Sequence, residues 1–195
     1  MMQANANKLK IILASQSPRR KQLLEWAEVN FDVKVSDTDE SYPADLSVEE
    51  VAIHIARNKA LAILESGEGH SPILAADTIV VLRETIIGKP SDRDHAIRIL
   101  TELSGQQHRV ITGVVLLWQG KETCFADVTL VEFHALTPEE IVFYVDKYKP
   151  YDKAGAYAIQ EWIGVVGIKS VNGDFYNVMG LPVSRVVRAL GELTP

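Results

Sequence analysis

Lys10-Ile11-Ile12-Leu13-Ala14-Ser15-Gln16-Ser17-Pro18-Arg19-Arg20 passes from an apolar run into a polar turn and then into a cluster of cations. Lys10–Ala14 reads as a short strand. Ser17 and Pro18 fit the N-cap and N1 positions of a helix, which runs from Arg19 to about Glu28. A strand feeding directly into a helix opens a β-α unit. Alternation over Phe31–Ser36 predicts a half-buried strand. Residues 37–47, acidic and containing Pro43, form a loop. Ser47-Val48-Glu49-Glu50 is a capping box that opens a helix running to about Glu65.

The same alternation continues downstream. Ile73–Leu82 reads as a buried strand, with Thr85–Ile87 as a short partner. A helix begins at Ser91-Asp92-Arg93-Asp94 and ends near Leu103. Arg109–Gln119 and Glu122–Phe133 are β-rich and meet at Gly120-Lys121 as a hairpin. Thr137-Pro138-Glu139-Glu140 caps a helix to about Lys147, residues 149–162 are irregular, Val165–Ser170 reads as a strand, and a last helix spans about Pro182 to Leu190. Alternating units together with long hairpin strands predict an α/β fold with a mixed sheet. No repeat, low-complexity tract or convincing linker divides the chain.

The chain has 195 residues, 20 Lys+Arg against 26 Asp+Glu, and a net charge of −6. That balance argues against a general nucleic-acid binder, which needs a basic face, while leaving room for a local cationic cluster around one phosphorylated ligand. The single Cys124 cannot pair within the chain, and the five His have no zinc-ligand spacing. Met1–Asn7 lacks an apolar signal core, and no apolar run approaches membrane-spanning length. The expectation is a cytoplasmic protein with no membrane partner.

Several residues sit where structure alone would not put them. Arg19, Arg20 and Lys21 occupy the first turn of a helix whose N-terminus already carries partial positive charge. A bound phosphate would reverse that penalty by using backbone N–H groups, hydroxyls and guanidinium forks together; otherwise the three cations point into solvent. In the helix from 48 to 65 the apolar stripe is Val48, Val51, Ala52, Ile55, Ala56, Ala62 and Ile63, and Lys59 lies on it. A lysine there must snorkel, pair or line a cleft.

Asp77 interrupts the apolar strand of Ala75-Ala76-Asp77-Thr78-Ile79-Val80. An unpaired buried carboxylate is expensive, so it should end a strand, cap backbone N–H groups, meet a cation or hold a metal. Thr78 would face the opposite side of a regular strand. Gly88-Lys89-Pro90 places a lysine in a tight loop, and Asp39-Glu40 offers oxygen ligands suited to a hard divalent cation. The long irregular stretch carries Asp152–Gln160, where the Gln160 amide could read a base edge.

Taken together, these motifs resemble the Maf family of nucleotide pyrophosphatases, over almost the whole chain from Leu13 to about Leu190. Those carrying the resemblance are Leu13–Arg20, Ala56-Arg57-Asn58-Lys59-Ala60, Ala75–Thr78, Gly88-Lys89-Pro90, Leu103-Ser104-Gly105 with His108, Thr112-Gly113-Val114, Asp152–Gln160 and Asn177–Pro182. The resemblance implies a two-lobed mixed-sheet α/β fold similar to inosine triphosphate pyrophosphatases, with a cleft between lobes. It implies residues 8–195 as one domain behind an N-terminal extension of residues 1–7, and a homodimer.

The implied activity is hydrolysis of a nucleoside triphosphate to the monophosphate and pyrophosphate, aided by a divalent cation (Mg, Mn or Co). The Asp152–Gln160 loop looks like the dTTP/UTP branch; a 7-methyl-GTP pyrophosphatase and a nucleotide-binding regulator of division are the alternatives. By motif position Asp77 is the proton acceptor, with Arg19, Thr78 and Gln160 governing substrate choice. Ser15, Arg19, Arg20, Lys59 and Lys89 would surround the triphosphate, and Glu40, ahead of Asp39, would join Asp77 on the metal. Three positions depart from the family pattern: Ala158 stands where Gly is frequent, Glu161-Trp162 replaces a smaller continuation, and Met179 stands where Val is frequent.

Overall fold

The computed structural model describes residues 9–193; the extension of residues 1–7 lies outside the described residues. Seven strands form one mixed sheet in the order β2-β1-β3-β5-β6-β7, with β4 on β3. They are β1 (Ile11–Ala14), β2 (Phe31–Lys34), β3 (Ile73–Leu82), β4 (Thr85–Ile87), β5 (Gln107–Trp118), β6 (Lys121–Phe133) and β7 (Ile168–Asn172). β1 runs parallel to β2 and β3, with Ile11 opposite Phe31 and Ile12 opposite Ile73, whereas β4 and β7 pair antiparallel with β3 and β6. The α/β expectation with a mixed sheet is met.

Seven α-helices accompany the strands among the described residues: α1 (Pro18–Trp26), α2 (Val48–Glu65), α3 (Arg93–Leu103), α4 (Pro138–Tyr148), α5 (Trp162–Gly167), α6 (Phe175–Met179) and α7 (Val183–Gly191). No helix among the described residues is long and apolar enough to cross a membrane. The chain divides into two compact units, one made of residues up to Asp77, Thr112–Asp127 and Gly180 onward, the other of Thr78–Ile111 and Val128–Met179. Strands β3, β5 and β6 each contribute residues to both.

In the first unit, α2 is fixed at its start by a complete capping box between Ser47 and Glu50, which satisfies two donors a helix end leaves open. Its buried face is Val51, Ala52, Ile55, Ala56, Ala60 and Ile63. Ala60 takes the place that periodicity gave to Ala62. This face meets Ile12, Ala14, Ile73, Ala75, Val115 and Leu117, so the helix lies directly over β1, β3 and β5. The approach is close at Gly113, where an added Cβ would sit 2.3 Å from the Ala52 carbonyl carbon. Any side chain there would force the helix, and Lys59 with it, off the sheet. Strand β2 is shorter than alternation predicted, and its last three residues are exposed, as befits a sheet edge.

In the second unit the core includes Leu100, Leu103, Phe133, Tyr144 and Ile163. The hairpin tip, which belongs to the first unit, turns at Gln119-Gly120, one residue earlier than expected, with both residues at positive φ, the conformation tight hairpins need. The strand expected over Val165–Ser170 is split: residues up to Gly167 belong to α5 and β7 begins only at Ile168. Helix α6 was not legible in the sequence.

His108, on β5, is 2% exposed. Its ring stacks on Phe133, its Nε2 lies 2.8 Å from the Tyr157 hydroxyl, and its Nδ1 has no hydrogen-bond partner among the described residues. Burial lowers its pKa from 6.5 to about 4, so the ring is neutral at pH 7. A depressed folded-state pKa means that the stabilisation is complete above the unfolded value of 6.5 and is lost as pH falls toward and through about 4. A difference of that size is worth about 3 kcal/mol. Urea unfolding should therefore show stability falling by about this amount between pH 7 and pH 4, and His108→Gln, less stable at pH 7, should lose correspondingly less over the same interval.

Candidate active site

Strand β1 ends in a turn built around one hydroxyl. Ser15 Oγ accepts from the Ser17 backbone N–H at 3.2 Å and from Arg20 Nη1 at 3.1 Å. Ser17 is the N-cap of α1, with its side chain accepting from the Arg20 N–H, Pro18 follows in the first turn, and that turn holds no acidic residue. The three neighbouring cations separate. Lys21 is exposed and Arg19 half-buried, whereas Arg20 is turned inward at 8% exposure, its Nε donating to the Gly180 carbonyl at 2.8 Å. Burial pushes the Arg20 guanidinium below the usual arginine range, Arg19 pushes the same way, and the charges of Asp77 and Glu40 pull it back. These acids therefore lie within electrostatic reach of the turn.

The acids meet on Lys59. Its Nζ donates to Asp77 Oδ1 at 2.6 Å and to Glu40 Oε1 at 2.9 Å. Of the choices open to a lysine on an apolar stripe, pairing is the one taken: the Lys59 and Asp77 side chains are 18% and 14% exposed. Asp77 lies mid-strand rather than at a strand end, and the cation is what makes its burial tolerable. Glu40 reaches in from the acidic loop, but Asp39 does not. The Asp39 carboxylate accepts from the Ser41 hydroxyl and backbone N–H, and these bonds hold its pKa below the usual carboxylate range.

No group of three or more His, Cys, Asp or Glu gathers as a metal site among the described residues. Two carboxylates converging on one point are nevertheless a fitting donor set for Mg²⁺, which typically takes one or two carboxylates together with substrate phosphate oxygens and water. The first unit thus brings together Ser15, Arg20, Lys59, Asp77 and Glu40.

The second unit carries Thr78, Lys89 and Gln160. Asp77 and Thr78 are the only partly exposed residues of an otherwise buried β3. Lys89 is exposed in its loop, and that loop is tied to the long irregular segment by the Gly155 N–H donating to the Gly88 carbonyl at 3.2 Å. Gln160 is exposed at the end of a run, Gly155–Ile159, that is otherwise buried. Lys153 is buried too, with Nζ 2.7 Å from Asp152 Oδ1 and 3.6 Å from Glu161 Oε1. Tyr144 was not singled out from the sequence, where it reads as core; Lys153 entered only within the Asp152–Gln160 stretch and Glu161 only as a departure from the family pattern.

A family model described as Maf-like protein matches residues 10–193. Among curated relatives, proteins named dTTP/UTP pyrophosphatase from Bacteroides fragilis and Parabacteroides distasonis are 48% and 47% identical, covering 98% and 97% of this chain and 100% and 98% of their own lengths. One of the same name from Porphyromonas gingivalis is 48% identical, covering 96% of each chain. Among solved structures, the Staphylococcus aureus Ham1 protein covers 80% of this chain and 90% of its own at 16% identity and a TM-score of 0.45.

Arg20 can be distinguished from a solvent-facing phosphate ligand by stability. Two charge-assisted hydrogen bonds end on it, so Arg20→Ala should destabilise the fold by about 3 kcal/mol in urea denaturation, independent of any nucleotide. A stability within about 0.5 kcal/mol of the parent would return Arg20 to the exposed set.

Proposed function

We propose, for a chain that belongs to the Maf-like protein family, that it hydrolyses dTTP and UTP to the monophosphate and pyrophosphate. The observation that carries this reading is the Lys59 ammonium shared by Asp77 and Glu40 beside the Ser15–Arg20 turn. The names of relatives 46–48% identical support the substrate class.

Asp77 is the proton acceptor. It orients a water and takes one of its protons as the water oxygen bonds to the α-phosphorus and the bond from that phosphorus to the α–β bridging oxygen breaks, so that pyrophosphate leaves carrying the bridging oxygen. Lys59 holds the Asp77 carboxylate in place. Arg19, Lys59 and Lys89 offset charge building on the departing pyrophosphate, Ser15 contributes its hydroxyl to the phosphate-binding turn, and Arg20 holds that turn in shape. Glu40 and Asp77 would hold a divalent cation, Mg, Mn or Co, together with phosphate oxygens. Such an ion, when bound, neutralises phosphate charge. Thr78 and Gln160 govern base choice, Gln160 by presenting its amide to a pyrimidine edge.

A pyrophosphate-release panel of dTTP, UTP, purine triphosphates and 7-methyl-GTP tests the reaction and the branch together. Hydrolysis confined to 7-methyl-GTP, or binding without turnover, would overturn the assignment. Asp77→Asn should keep the fold and lower turnover by roughly 100-fold or more; unchanged turnover would remove Asp77 from the chemistry. Gln160→Glu should weaken discrimination among bases more than it alters metal dependence, and an unchanged substrate profile would take Gln160 out of base recognition.

A further inference from the structure

Helix α4 grips the two residues that follow Gln160. The Tyr144 hydroxyl donates to Glu161 Oε2 and accepts from the Ala158 backbone N–H at 3.2 Å. One phenol oxygen therefore holds the chain on both sides of Ile159-Gln160. Phe143, the preceding residue of the same helix, packs its ring edge-to-face on Trp162 at 4.9 Å between centroids.

The segment is closed further by its own backbone. The Glu161 N–H donates to the Ala158 carbonyl at 3.1 Å and the Gly164 N–H to the Glu161 carbonyl at 2.9 Å. An added Cβ at Gly164 would lie 1.7 Å from the Ile159 carbonyl oxygen, so the start of α5 folds back onto the residue before Gln160. Tyr144 itself cannot drift, because its side chain is fully buried and its ring stacks on Tyr148. Gln160, exposed, is the residue this arrangement holds out.

We propose that Tyr144 and Glu161 are positioning residues for base selection, acting through Gln160: the phenol–carboxylate clamp holds the Gln160 amide in one presentation, so that a base of the wrong edge cannot recruit an alternative one. The argument rests on the reading of Gln160 as the base-recognising residue. An amide free to swing would satisfy several base edges equally and discriminate poorly, because selection against a wrong partner depends on leaving polar groups unpaired.

The test is steady-state pyrophosphate release from dTTP, UTP and dGTP by the full chain and by Tyr144→Phe, Glu161→Ala and Glu161→Gln, with thermal unfolding alongside. Tyr144→Phe and Glu161→Ala should lower the ratio of kcat/KM for dTTP over dGTP by about tenfold. The change should appear mainly in KM. Glu161→Gln, whose amide oxygen still accepts from the phenol, should keep that ratio within about threefold of the parent. If Tyr144→Phe fails to fold, the two Glu161 variants decide.

An unchanged ratio in folded Glu161→Ala overturns the clamp, as does a parallel loss of activity on every triphosphate. In both cases the pyrophosphatase reading survives. A parent chain that releases no pyrophosphate from dTTP or UTP overturns that reading and the clamp together.

Discussion

A carboxylate in the middle of a buried strand can persist only if something of opposite charge reaches it, and the Lys59 ammonium is what reaches Asp77. Most of the first unit is arranged to make that contact possible. The capping box at Ser47 fixes where α2 begins, Gly113 lets the helix lie against β5 with no side chain between, and the alanines at 56 and 60 bring its axis close to the sheet. Lys59 then rises from the apolar stripe at the one place where β3 offers an acid. Glu40 adds a second carboxylate to the same nitrogen, so the one ammonium stands between two carboxylates that would otherwise repel across a short gap. Removing the ammonium would leave a poorly solvated anion and the charge beside it, a combination proteins tolerate badly.

Rigidity is supplied differently in the two units. In the first, a buried guanidinium bolts the Ser15 turn to Gly180. In the second, two phenols and an imidazole do equivalent work along one stretch of chain: His108 meets Tyr157, and Tyr144 meets Ala158 and Glu161. Each is a polar atom inside an apolar surround, where a satisfied hydrogen bond fixes geometry and an unsatisfied one is costly. The exposed residues Lys89 and Gln160 stand on segments that these bonds and the Gly155–Gly88 contact hold in place.

Local pattern revealed much of this. Periodicity alone placed Lys59 on the wrong face of its helix and Asp77 in the wrong kind of strand, and both anomalies proved to be one ion pair. Helix α2, β3 and β4 fall at the residues their caps and apolar runs indicated. What escaped has a common cause, namely contacts between residues distant in sequence. Arg20 looked like another cation of the first turn because its acceptor lies 160 residues away. Asp39 was a close competitor of Glu40 in the sequence, and in the fold Ser41 claims the first and Lys59 the second. Val165 and Val166 suggested a strand through their branched side chains, yet both are exposed in α5; the fold-back onto Ile159 outweighs intrinsic preference there. The clamp around Gln160 was hidden because Tyr144 resembles any other core aromatic.

The bond between Arg20 and Gly180 joins residues 160 positions apart in the chain. Until translation has passed Gly180, the guanidinium lacks its backbone acceptor and the first helix lacks its anchor. A half-made polypeptide therefore holds the acid and the lysine but not the settled turn beside them. The geometry of that turn is therefore a property of the folded first unit and not of the local sequence around Ser15.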